Sequence, residues 1–390
     1  MIASVFIHPE KQASIKRGHP WIYPKAIARY SGILTTGALV QVFSLDNELL
    51  AVGVYNEHSL YRVRVLVHAF ESLPRDSLES IVSARIQQAL HLRNMLQLPN
   101  AATSAFRLFN SEGDGLSGLT IDRFNQTCVV SSSAYWVEAH REMISQVLLS
   151  QLEIKQCLWF SQEKPLAQDG WTQAITNQAI GTEVILESGI QFQVDFTNTQ
   201  KTGLFLDQRE NHQRIAALAS GKRVLDLYTY TGGFALHAAK AQAAFVTAVD
   251  SSAAAIALAK RNAELNQLSQ IEFITADARD YLSQAGQYDL VILDPPKLVP
   301  SYRHAEKAKN YYRFLHRETF KYLASGSLLM TCNCSAALSA TAFTELVCSQ
   351  AVMVGKVARV VGVFGPSSCH PTLAAFPEGQ YLTAVLLSVS

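Results

Sequence analysis

From Gly221 onwards, short apolar runs alternate with stretches of helical periodicity: KRVLDLY, then FALHAAKAQ, FVTAVD, SAAAIALAKRNAELNQ, IEFITAD and YDLVILD. That alternation predicts a doubly wound α/β sheet, an architecture that holds ligands at the carboxyl ends of its strands. A long helical region around HAEKAKNYYRFLHRETFKYLA follows, then the strand GSLLMTC and a helix near SATAFTELVCSQ. Two terminal strands, KVARVVGVF and YLTAVLLSV, are expected to pair as an antiparallel hairpin. The chain before this reads differently. LVQVFS, LLAVGVY and LYRVRVLV, separated by turn-like DNE and NEH, predict a small β-rich module over residues 1–72. Over 73–185, ESLPRDSLESIVSARIQQALHLRNML reads as a helix, and FRLFNSEGDGLSGLTIDRF, TCVVSSS and CLWFSQ read as strands with a Gly/Asp turn, giving a central α+β domain. The doubly wound domain occupies 186–390, and neither an internal repeat nor a low-complexity tract interrupts the chain.

Composition adds bounds. With 390 residues, 48% hydrophobic and 17% charged, the chain is long enough for two or three globular domains and unlike a disordered one. The N-terminal MIASVFIHPEKQASIKRGHPW lacks a basic start followed by an apolar core, and no apolar run is long enough to cross a bilayer, so a cytoplasmic protein without membrane association is expected. Net charge is +1, which by itself argues for no polyanionic partner. Six cysteines, Cys128, Cys157, Cys332, Cys334, Cys348 and Cys369, have no framework spacing and are expected as free thiols.

The candidate chemistry gathers at strand ends. LDLYTYTGGFALHAA places Asp226 inside a strand and Gly232–Gly233 at the turn opening the next helix, where glycine lets backbone approach a ligand. The spacing is not G-x-G-x-x-G, which argues against a dinucleotide. Asp250 ends the second strand, where a carboxylate can accept the hydroxyls of a ribose, and Asp277 ends the third. Singly, each acid reads equally well as a helix cap. Together they suit a nucleoside with a charged tail, such as a sulfonium cofactor. At the fourth strand end, Asp294-Pro295-Pro296 stops the strand and stiffens the turn behind a carboxylate.

TCNCSAAL puts Cys332 and Cys334 one residue apart. A metal site would need further ligands, and Cys348, Cys369 and His370 make no zinc pattern; C-x-C is not a redox C-x-x-C either. From the residues alone, core packing and a nucleophilic role both remain open, packing being the commoner fate of a cysteine ending an apolar strand.

The order DLYTYTGGF, AVD, TADA, DPPK resembles the class I S-adenosylmethionine-dependent methyltransferases. RGHPWIY (Arg17–Tyr23) with GVYNEHSLYRVRVL (Gly53–Leu66) is similar to the N-terminal PUA domain of the bacterial large-subunit rRNA cytosine-5 methyltransferase family. NSEGDGLSGLTIDRF, QKTGLFLDQRENHQRI and HPTLAAFPEGQYL resemble that family's middle and catalytic regions. The resemblance implies an enzyme forming 5-methylcytosine in large-subunit rRNA, with S-adenosyl-L-methionine as cofactor. It aligns Cys334-Ser335 with the family's cysteine–serine motif and so implies Cys334 as the nucleophile, adding to cytosine carbon 6; Cys332 is left to packing. In the superfamily's sheet order GSLLMTC lies beside YDLVILD, so Asp294 is implied as its neighbour at the cytosine edge, and Lys297 as an RNA contact. Asp226, Tyr228, Gly232, Gly233, Phe234, Asp250 and Asp277 are implied around the cofactor. The QKTGLFLDQRENH motif adds Lys201, Phe205, Asp207, Gln208 and Arg209 at its methionine end, Arg209 as a partner for its carboxylate. The PUA resemblance implies RNA binding through Arg17, Trp21, Arg62 and Arg64, cations positioning phosphate and the aromatic stacking bases. A homodimer is left open. Two rivals stand beside this reading: a same-fold RNA methyltransferase acting on a guanine nitrogen, for which the cysteine is idle, and a non-catalytic RNA-binding ribosome assembly factor.

Overall fold

The computed structural model describes residues 2–177, 181–197, 204–297 and 305–390; Lys201, expected near the cofactor, lies outside them. The chain divides into two units. The first comprises Met1–Thr182, Asp195–Gly203 and Cys369–Gly379; the second comprises Glu183–Val194, Leu204–Ser368 and Gln380–Ser390.

In the first unit, β1 (Ala3–Ile7), α1 (Gln12–Lys16), β2 (Trp21–Ile22), β3 (Ile27–Ser31), β4 (Leu39–Ser44), β5 (Leu49–Tyr55) and β6 (Val63–His68) build a sheet of order β2-β6-β5-β4-β1-β3. LVQVFS alternates half-buried and buried residues, the period-two signature that identified it. At Gly53, beside a bulge in β5, a Cβ would lie 2.3 Å from the Arg64 carbonyl oxygen, so only glycine allows this approach of β5 to β6. α2 (Leu78–Met95) begins at Ser77, whose hydroxyl accepts from the Ser80 amide at 3.1 Å. β7 (Ala105–Asn110), β8 (Leu119–Phe124), β9 (Thr127–Ser132), α3 (Tyr135–Ala139), α4 (Arg141–Gln151), β10 (Gln156–Trp159) and α5 (Glu163–Gln168) follow, with sheet order β10-β9-β8-β7.

The second unit opens with a two-stranded sheet, β11 (Thr182–Glu187) and β12 (Ile190–Asp195), which the hydrophobic pattern did not reveal. Then come α6 (Arg209–Ala219), β13 (Arg223–Leu227), α7 (Gly233–Lys240), β14 (Phe245–Asp250), α8 (Ala253–Leu265), β15 (Ile271–Thr275), β16 (Leu290–Leu293), α9 (Ala305–Tyr322), β17 (Leu328–Cys334), α10 (Ala340–Met353), β18 (Ala358–Phe364) and β19 (Leu382–Val389). The main sheet has the order β15-β14-β13-β16-β17-β19-β18. β13 to β17 are parallel, while β19 runs antiparallel to both β17 and β18, so the expected α/β fold with antiparallel terminal strands is the one observed.

Successive residues of each central strand enter different cores, because side chains alternate across a sheet. Leu225, Leu227, Val291, Leu293 and Leu329 pack with Tyr312, Phe320 and Phe343 of α9 and α10. Val224, Leu290, Ile292, Met330 and Cys332 pack on the other face with Ile215, Phe234 and Ala235 of α6 and α7. Burial on both faces explains why these strands read as unbroken apolar runs. It also sets a parity: Asp226, Asp294 and Cys334 continue the series that faces α6 and α7.

Candidate active site

From β13 the chain runs outward to β14 and β15, then returns to β16 on β13's other side. The sheet thus reverses its order between β13 and β16, opening a crevice beyond their carboxyl ends. β13 leads into Tyr228–Gly232, where Tyr228 (φ 67°) and Tyr230 (φ 52°) both adopt left-handed backbone. Such conformations in bulky residues cost on the order of 1 kcal/mol each and persist only where neighbours enforce them. Asp250 is one enforcer, its Oδ2 accepting from the Tyr230 amide at 2.9 Å and its Oδ1 from Ser252 at 2.9 Å. Gly232 (φ 91°) caps α7, and a Cβ on Gly233 would lie 2.5 Å from His212 Nε2.

Asp226 is fully buried. Its Oδ2 accepts from the Thr229 hydroxyl and the Ala235 amide at 2.5 and 3.1 Å, while Oδ1 has no hydrogen-bond donor among the described residues. Burial pushes this carboxyl up to about 6. Asp294, just past β16, accepts at Oδ2 from Gln208 Nε2 at 3.0 Å. Burial first, then the negative charges of Asp207 and Asp226, push it up to about 7. Cys334 Sγ donates to the other oxygen, Oδ1, at 4.0 Å.

β17 continues through Cys334, so Cys332 and Cys334 share a face, paired across β19 with Ala384 and Leu382. Cys332 is fully buried, and burial followed by the Asp294 charge holds its thiol well above the ordinary range. Cys334 is half-buried at the strand's rim. Between them, Asn333 donates to the carbonyls of Ser335 (3.2 Å) and Leu338 (3.1 Å) and accepts from Tyr312 (3.1 Å), fixing the turn beyond the cysteines. The sequence reading missed Asn333; its partners lie on α9 and in the following turn, and no spacing announces them.

The other expected cofactor residues separate. Phe205 is 39% exposed and meets Tyr230 edge-on at 5.1 Å. Tyr228 lies against the α9/α10 core. Phe234 instead turns into the α6/α7 core, edge-on to His212 at 4.5 Å, because α7's apolar face must be covered. Gln208 is buried with Oε1 taken by Asn211 (2.6 Å) and Nε2 by Asp294, so it acts as a prop for Asp294. Arg209 is buried, 3.6 Å from Glu210. Asp277 caps the 3₁₀ segment Ala278–Gln287 and binds the Arg279 guanidinium, which holds it below the ordinary carboxylate range; for this acid the cap explains the geometry. Lys297 is exposed.

In the first unit, Arg17 is exposed. Trp21 stacks on Tyr61 (centroids 3.9 Å) and meets Phe376 edge-on at 4.5 Å, with Nε1 donating to Glu112 and Ser117 at 3.1 Å each. Its ring is thereby used within the fold. Arg62 donates to the carbonyls of Asn56 and Glu57. Arg64, expected to meet phosphate, is buried against Asp169 (3.2 Å) and Ser117 (2.8 Å), so its charge is neutralised inside the protein.

A family model described as S-adenosylmethionine-dependent methyltransferase matches residues 155–364, and one for a PUA-like domain matches residues 5–68. The chain is 32% identical to the ribosomal RNA large subunit methyltransferase I of Aeromonas hydrophila, with 99% of each chain covered. To the proteins of the same name from Alteromonas mediterranea and Aeromonas salmonicida it is 31% and 33% identical, covering 100% of each chain and 98% and 99% respectively. Among solved structures it resembles a SAM-dependent methyltransferase from Streptococcus mutans (TM-score 0.80, 21% identity, 99% of this chain and 100% of that one). It also resembles SMU.776, described as a methyltransferase complexed with SAH (TM-score 0.81, 21% identity, the same coverage). Among the described residues, no helix is long and apolar enough to cross a membrane.

Proposed function

The chain belongs to the S-adenosylmethionine-dependent methyltransferase family, alongside the ribosomal RNA large subunit methyltransferases I, and from that premise we propose that it forms 5-methylcytosine in large-subunit rRNA through a covalent Cys334 adduct. The observation that carries this reading is the approach of Cys334 Sγ to Asp294 Oδ1 at 4.0 Å, beside the crevice where β13 and β16 part.

The crevice suits S-adenosylmethionine. Asp226 Oδ1 is a buried acceptor without a donor, as a cationic or N–H-bearing ligand requires, and Gly233 carries no side chain beside it. Asp226, the Asp250 carboxylate, the Tyr228–Gly233 backbone and the exposed edge of Phe205 would hold the cofactor. When bound, it supplies an electrophilic methyl group for carbon 5.

The protein's residues supply the rest. The Cys334 thiol passes its proton to the Asp294 carboxylate, and the sulfur lone pair forms a bond to carbon 6 of cytosine. As the carbon 5–carbon 6 π pair shifts toward the ring nitrogen, Asp294 delivers that proton to N3. A carboxyl poised near neutrality suits both halves of this relay. After carbon 5 is methylated, water takes the carbon 5 proton, the C5–H pair forms the carbon 5–carbon 6 double bond, the S–C6 pair returns to sulfur, and the N3 proton passes back through Asp294 to Cys334, which is released. Gln208 keeps Asp294 in line, and Cys332, buried and protonated, stays out of the reaction. The three-part division at 72 and 185 enters as a division of labour, with exposed cations such as Arg17 and Lys297 meeting RNA phosphate. The enzyme would then work where rRNA is made, in the cytoplasm.

Incubation with 5-fluorocytosine-substituted rRNA and cofactor tests this, because fluorine blocks the proton loss that frees the enzyme. A denaturation-resistant complex that forms with wild type and Cys332→Ala but not with Cys334→Ala is expected. Methylation that persists in Cys334→Ala without such a complex would overturn the covalent mechanism in favour of the nitrogen-methylating rival.

A further inference from the structure

Three ionisable side chains meet in the second unit behind the Gly232–Gly233 turn: Glu187 at the end of β11, His212 on α6 and His237 on α7. All are buried, and one potential ligand atom from each lies within 4.8 Å of the others. His212 Nδ1 is 2.7 Å from Glu187 Oε1, and His237 Nε2 is 3.8 Å from the same oxygen. The imidazole rings lie 5.1 Å apart, tilted by 31°.

The hydrogen-bond inventory of this cluster does not close. His237 Nδ1 is 2.8 Å from the Gly233 carbonyl, which can only accept, so Nδ1 carries the proton. That assignment leaves Nε2 with its lone pair turned to the carboxylate. His237 Nε2 and Glu187 Oε2 are both buried without a hydrogen-bond partner among the described residues. With the proton on Nδ1, the Glu187 carboxylate therefore faces the imidazole's lone pair at 3.8 Å with no proton between them. In a buried site that is repulsive, and the group that converts it to attraction is a cation.

We propose that Glu187, His212 and His237 form a structural site for a divalent transition-metal ion of the zinc class. The donor set is two imidazole nitrogens and a carboxylate, the set such ions favour, and it contains no thiolate. The ion takes the place of the proton on His212 Nδ1, which is released, and the Glu187 oxygens and His237 Nε2 complete the set. The Gly233 carbonyl on His237 Nδ1 is the outer partner that fixes a ligating imidazole's tautomer. Phe192 stacked on His237 and Phe234 edge-on to His212 close the surroundings, consistent with a structural ion and not with a catalytic one that keeps an open position. The site ties β11 to α6 and α7 behind the Gly232–Gly233 turn, stiffening the wall of the crevice without taking part in its chemistry.

The test is metal content and spectrum, independent of methylation. The full chain is unfolded with chelator, desalted, refolded with zinc or cobalt(II), and freed of loose metal. We expect about one metal per chain by elemental analysis. The cobalt form should show visible d–d bands but no sulfur-to-cobalt charge transfer, and the zinc form should melt several degrees above the metal-free chain. Glu187→Gln, which keeps an acceptor for His212, and His237→Ala should both lose the metal, with far-UV circular dichroism confirming that they fold. A wild-type chain that refolds but binds less than a tenth of an equivalent overturns the proposal. So does metal retained in both folded variants, or a cobalt spectrum dominated by thiolate charge transfer.

Discussion

In the first unit Arg64 meets Asp169, Arg85 meets Glu71 and Arg93 meets Asp114, each guanidinium largely buried and each carboxylate answered. In the second unit the charge of Asp226 helps to raise Asp294, the charge of Asp250 helps to raise Asp226, and among the described residues neither Asp226 nor Asp294 is ion-paired with a lysine or arginine. Both arrangements bury charge, but they do different work. The closed pairs hold loops and helices in register, and removing either partner strands the other in a low-dielectric interior. Carboxylates buried without a cationic partner are held at a cost in stability, and such groups are candidates for a functional site.

The reactive pair is the more sensitive of the two arrangements. Cys334→Ala should lower the methylation rate constant by on the order of 10⁴-fold or more, as loss of a covalent nucleophile does, while leaving the melting temperature nearly unchanged. Cys332→Ala should do the reverse, opening a small cavity that costs about 1 kcal/mol with turnover kept. Single-turnover kinetics and calorimetry on the two proteins separate these roles.

On the structural side, Asp114→Ala should destabilise the protein by about 3–5 kcal/mol, because Arg93 would stay buried with its bidentate partner gone. Urea unfolding measures this; a loss below about 1 kcal/mol would mean that the Arg93–Asp114 pair does not hold its helix and loop in register.

Asp294→Asn sharpens the contrast. It should cost about 10²- to 10³-fold in rate, the range for a general acid–base group. Stability should move the other way. An unfolded aspartate titrates near about 3.9, whereas folded Asp294 holds its proton up to about 7. Between those values the folded chain binds the extra proton, so its contribution is fully present at low pH and is lost as pH rises toward neutrality. Asp294→Asn removes this slope, leaving the variant more stable than wild type above pH 7 by at most a few kcal/mol. Unfolding midpoints collected from pH 4 to pH 8 give the comparison.

The smallest effects concern RNA. Arg17→Ala and Lys297→Ala should each weaken rRNA binding a few-fold and lower the salt slope by about 1, the signature of a lost phosphate contact. Arg64→Ala should act instead through stability, since its charge is satisfied within the fold. An Arg64→Ala protein of normal stability with a reduced salt slope would show that this buried pair opens to RNA.

Much of this architecture was legible along the chain because its causes are local. Strands buried on both faces must be apolar throughout, so KRVLDLY, FVTAVD, YDLVILD and GSLLMTC declared the sheet, and the acids closing them declared its functional edge. The placing of Cys334 at the rim and Cys332 inside follows from strand alternation once β17 extends that far. What tertiary structure decided is how each polar group is used. Arg64 and Arg17 look alike in sequence, yet one is sealed against Asp169 and the other reaches solvent. Gln208 and Phe234 sit in motifs implied for the cofactor, but one props Asp294 and the other fills the α6/α7 core. Glu187, His212 and His237 come from a hairpin and two helices whose spacing carries no signal. Hydrophobic burial is a property of each residue and repeats with the period of its own element. The partner of a buried charge is set by which elements the fold brings face to face, and only the packed chain contains that information.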